Sequence, residues 1–113
     1  MAKFLFVVPS GPLDERYDEY NDWYENKHLD EVLKVPGFVA AQRFELVGEP
    51  FYGDPPTHRN LAIYEIEAER LEDALAALQE EIPNMKLSDA FDMETAQGHI
   101  FRPTGPRHVA NAL

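Results

Sequence analysis

Residues 17–46 read YDEYNDWYENKHLDEVLKVPGFVAAQRFEL: a charged stretch of helical character, a stop at Pro36 and Gly37, and a β-rich run. The first part predicts a helix from about Glu15 to about Leu33. Asp14 is suited to cap it, and acids crowd its first turns, where the helix dipole favours them. Pro36 and Gly37 cannot continue it. On the N-terminal side, KFLFVV (3–8) is apolar on both faces and predicts a strand that must be covered on both sides. PSGPLD (9–14) breaks that strand. On the C-terminal side, FVAAQRFELV (38–47) and NLAIYEIE (60–67) predict two more strands. Their connector, GEPFYGDPPTH (48–58), holds three prolines and two glycines and is too long for a tight hairpin. The 48–59 loop is therefore a candidate flap.

ERLEDALAALQEEI (69–82) predicts a second helix, because Leu71, Ala74, Leu75, Leu78 and Ile82 share one face, and Pro83 stops it. A last strand falls within DMETAQGHIFR (92–102). The order β-α-β-β-α-β predicts one ferredoxin-like α+β domain over residues 1–113. Its four-stranded antiparallel sheet carries both helices on one face, and residues 103–113 form an irregular tail. The other face would be bare, and strand 1 is apolar on that side too. A homodimer pairing its sheets face to face is the economical expectation.

The chain has 113 residues and no cysteine, and 21 acids against 10 bases give a net charge of −11. The missing cysteines exclude disulfides, thiol nucleophiles and thiolate metal sites, and they fit a reducing compartment. The acids gather in the two helical segments, as solvated faces do. No basic stripe exists for a nucleic acid, and an anionic membrane surface is disfavoured for the same reason. FLFVV is shorter than the roughly 7–15 residues of a signal-peptide core and far below the ~20 of a membrane span. A cytoplasmic location is expected.

At ~100° per residue, Tyr17, Tyr20, Tyr24, His28 and Val32 fall on one face of the first helix, and Trp23 points away from it. An ordinary core helix would carry leucine and valine there. Each buried phenol needs a hydrogen-bond partner, which a partly wet pocket supplies more readily than a dry core. Phenols that simply pack, with their hydroxyls at the rim, are the other reading.

The stretch from Tyr17 to Leu46 resembles the EthD-like branch of the dimeric α/β-barrel superfamily. An aromatic-rich helix, the histidine in WYENKHLDEVL, VPGF and the following A-x-R-[FY] strand carry the resemblance, with HIFRPTGPR as the closing strand. Family members often have proline two residues after the histidine. Here Asp30 stands in that position and lets the helix run on. The superfamily hosts polyketide cyclases, hydroxynitrile lyases, lactone isomerases, quinone-forming monooxygenases and haem-degrading enzymes. Most share a small apolar cavity between sheet and helices, with one or two polar side chains for acid–base work.

With that resemblance, His28 is the candidate catalytic residue and Tyr24 its candidate acid or carbonyl-polarising partner. Tyr17 and Tyr20 are expected to contact a small apolar molecule. His99, on one face of the last strand with Gln97 and Phe101, and His58, at the end of the flap, are further candidate contacts. His108 falls in the tail. Glu25 and His28 have Glu-x-x-His spacing, but there is no second such pair, so no metal is expected. Ser10 and Ser88 lie outside any nucleophile elbow, and no phosphate loop or dinucleotide fingerprint is present. The expected function is cofactor-independent acid–base catalysis on an aromatic or polyketide-like carbonyl compound, of cyclase, isomerase, dehydratase or lyase type. A hydrophobic-ligand binding module, a purely structural dimer and an oxygenase are the alternatives.

Overall fold

The structure, a computed structural model, describes residues 1–111. Strand β1 (Ala2–Ser10) leads to helix α1 (Tyr17–Trp23), which runs through a π-helical turn (Tyr24–His28) into α2 (Leu29–Leu33). Strands β2 (Phe38–Glu45) and β3 (Asn60–Ala68), helix α3 (Leu71–Glu81) and the short β4 (His99–Phe101) follow. The sheet order is β2-β3-β1-β4 and every pairing is antiparallel. This is the ferredoxin-like α+β architecture.

Alternation along β3 sorts the sheet into two faces. Asn60, Ala62, Tyr64 and Ile66 are buried under the helices, while Leu61, Ile63, Glu65 and Glu67 look out. Phe4, Phe6 and Val8 of β1 join the inner side and pack against the buried core, to which Tyr20, Trp23, Leu78 and Phe91 belong. Gly37 has φ +96°, and a Cβ there would stand 3.0 Å from the Ala74 Cβ. Glycine thus lets VPGF turn hard against α3.

Two local expectations fail. The first helix starts at Tyr17, and no side chain caps it. Asp14 and Glu15 instead take positive φ, in a turn where the Leu13 N–H donates to the Ala90 carbonyl at 2.7 Å. The wheel drawn at 100° per residue also misplaces Trp23, which is buried. A turn closed by i→i+5 bonds takes up one extra residue. Trp23 therefore lies over His28, five positions on, as residues four apart do in an α-helix.

Candidate active site

A cavity of about 270 Å³ lies between the inner face of the sheet and the helices. Phe6, Val8, Val32, Leu78, Met85 and Phe91 make most of its wall apolar. Tyr24, His28, Tyr64 and Gln97 supply its polar groups. Gly98 lets the chain pass close to the cavity, since a Cβ there would meet the Phe6 ring at 2.9 Å.

His28 is held from several sides. Its ring stacks on Trp23, with centroids 4.5 Å apart and planes 20° off parallel, and meets Tyr24 edge-on at 5.3 Å. Its Nδ1 faces Glu31 Oε1 at 3.5 Å, and both atoms are fully buried with no other partner. With Nδ1 closed off, Nε2 is the nitrogen left to the cavity. Burial pushes the imidazole pKa below its ordinary 6.5, while Glu31 pulls the other way. The ring is therefore neutral at pH 7, the form a general base needs.

Tyr24 and Tyr64 are almost wholly buried, and burial drives both phenol pKa values up. They stay protonated, as hydrogen-bond donors. Arg43 lies over the Tyr24 ring at 4.8 Å and over Tyr20 at 5.4 Å, held by Asn21 at 2.6 Å and Glu25 at 3.0 Å. Glu25 is thus spent on Arg43, not aimed at His28. Among the described residues, no group of three His, Asp or Glu side chains is placed to hold a metal ion.

The other sequence candidates lie elsewhere. Tyr17 occupies the first helical position and is 42% exposed, outside the cavity wall. Tyr20 is buried, but its hydroxyl pairs with the Ser10 hydroxyl at 2.6 Å, behind the cavity wall. His58 Nε2–H donates to the Thr95 carbonyl at 2.9 Å and ties the base of the 48–59 loop to the turn before β4. His99 pairs with Val7 in the sheet, so it shares Val7's outward face and does not reach the cavity. Its Nε2–H donates to Gln97 Oε1 at 3.1 Å. His108 is exposed in the tail.

Sequence reasoning missed Glu31, Trp23 and Tyr64. The i, i+3 step from His28 to Glu31 was a visible signal for the first. The alternation of NLAIYEIE placed Tyr64 on the same face as Ala62 and Ile66.

The four-stranded antiparallel sheet with its two helices is the fold of EthD-like proteins. No protein-family model matches the sequence, and no curated protein matches it. Among solved structures, the chain is similar to a candidate monooxygenase from Shewanella loihica PV-4, at 14% identity over 93% of this chain and 97% of that one, with a TM-score of 0.65. It is similar to an EthD-like protein from Ralstonia eutropha JMP134 at 16% identity, over 95% and 97% of the two chains, with a TM-score of 0.57. An ethyl tert-butyl ether D (EthD) family protein from Bacillus halodurans C-125 matches at 15% identity, over 92% and 100%, with a TM-score of 0.54. No helix among the described residues is long and apolar enough to cross a membrane.

Proposed function

We propose that the protein is a small cofactor-independent enzyme that removes and returns a proton on an apolar aromatic or polyketide-like carbonyl compound. One observation carries this reading. His28, its Nδ1 turned to Glu31 and its pKa lowered by burial, lines an apolar cavity beside two buried phenols. Nε2 takes a proton from the carbon next to the carbonyl. The carbonyl oxygen gains the negative charge, and Tyr24 and Tyr64 donate to it. Returning the proton to another carbon isomerises the compound, and attack of the enolate on a second carbonyl closes a ring. Acid–base catalysis of this kind supplies about 10² to 10⁴-fold.

An oxygenase reading begins with the same proton removal, and the candidate monooxygenase from Shewanella loihica shares this fold. Oxygen uptake with an added quinol separates the two. The proposed unit is a homodimer. Leu5, Phe44 and Phe101 project from the outer sheet face at 38%, 44% and 55% exposure, which supports a second copy covering that face.

The test is exchange of the α-protons of 2-tetralone, an enolisable aromatic ketone, in D2O. The protein accelerates exchange, and His28→Ala lowers the rate by about 10²-fold or more. Binding without exchange would favour a hydrophobic-ligand binding module instead.

A further inference from the structure

Glu31 is a carboxylate with one oxygen, Oε1, buried beside His28 and the other held by the backbone nearer the surface. Oε2 accepts from the Lys86 backbone N–H at 3.1 Å, and Oε1 faces only His28 Nδ1. The carbonyl of the same Lys86 accepts from the Trp23 indole N–H at 2.8 Å. Trp23 is the ring on which His28 stacks. The Lys86 backbone therefore holds both neighbours of the imidazole, one by its carbonyl and one by its N–H. Trp23, Lys86, Glu31 and His28 close a ring of contacts across the helix and the segment after α3.

A carboxylate oxygen can only accept, so it is compatible with Nδ1 only if that nitrogen carries the proton. The opposite tautomer would set two lone pairs against each other in a buried space. At 3.5 Å the contact is longer than an ordinary N–H···O bond. It has room to shorten when the imidazole becomes positively charged, because charge-assisted bonds are shorter and stronger. An interaction that strengthens as the proton arrives favours the transition state over the resting state.

We infer that Glu31 is the positioning residue of His28: it fixes the proton on Nδ1, presents the Nε2 lone pair to the cavity, and tightens on the imidazolium. The catalytic part of this role rests on the function proposed above, whereas the tautomer does not. The charged and titratable groups around the ring are Glu31 and Tyr24 on its own helix and Tyr64 from β3. The elements packed over the cavity from α3 onward contribute the uncharged Gln97 and apolar side chains, among them Leu78, Ile82 and Met85.

The experiment is 15N-histidine NMR of the whole protein at pH 7.5, with His28 assigned by substitution, beside the Glu31→Leu variant. The expected spectrum has Nδ1 protonated and Nε2 bare, and Glu31→Leu moves the proton population towards Nε2. In the 2-tetralone exchange assay the same variant lowers kcat by about 10- to 100-fold, with a smaller change in KM. A wild-type His28 protonated on Nε2, or a tautomer unmoved by Glu31→Leu, overturns the inference. Should Glu31→Leu fail to fold, the wild-type spectrum decides alone. Correct tautomers without any exchange would sink the proposed catalysis and leave the role of Glu31 in orienting His28 intact.

Discussion

His28 is neutral in the folded protein because burial disfavours its charged form. Its folded pKa lies below the unfolded value, so the unfolded chain binds more protons between the two. Stability from this group is complete above about pH 6.5 and is lost as pH falls through the folded pKa. Chemical denaturation from pH 8 to pH 5 is expected to show this loss, and His28→Asn should flatten it. At Ser10, truncation to alanine leaves the buried Tyr20 hydroxyl without its partner. A loss of roughly 1–3 kcal/mol is expected in thermal melts, and adding Tyr20→Phe should recover most of it, since no orphaned polar group then remains. The sequence disclosed the residue types of this site only in part. His28 and Tyr24 stood out as polar groups on an apolar arc. Glu31 did not, because its i, i+3 step from His28 is hidden in a run of surface acids.

The first helix was legible as an element but not in its rotation. Tyr20 to Trp23 and Tyr24, and Leu29 to Val32, keep α-helical spacing, whereas Trp23 to His28 and Tyr24 to Leu29 are five apart. Only the π turn reconciles these steps into one buried face. Removing the exposed Lys27 takes out the extra residue and leaves a regular α-helix with both flanking faces aligned. The expected result is a folded protein with unchanged helical content and an unchanged emission maximum for Trp23, the only tryptophan. Unfolding on this deletion would contradict the assigned register. The start of the helix was equally hidden. Asp14 has the chemistry of a cap, but the chain uses it in a left-handed turn that anchors Leu13 to Ala90.

For the molecule as a whole, element order was enough to give the topology. Alternating strands and a strong second helix leave few ways to build a β-α-β-β-α-β chain. The cavity was less legible, because the segment from Met85 to Gly98 that closes it is irregular and carries no periodic signal. Strand 1 foretold an apolar outer face, and Leu5 and Val7 lie there beside Ile63. Light scattering after size exclusion is expected to give twice the chain mass. Ile63→Glu puts a charge in the middle of that face and should yield monomer with the same helical content. A wild-type monomer at micromolar concentration would rule out the proposed dimer.

His28 is proposed to move a proton on a carbonyl compound inside the cavity. The most direct test is the pH dependence of kcat/KM for α-proton exchange of 2-tetralone from pH 4.5 to 9, in wild type and His28→Ala. The rate is expected to rise through a single ionisation below pH 6.5, then stay level, and to disappear in the variant. Exchange no faster than in buffer, or equally fast in His28→Ala, would contradict it.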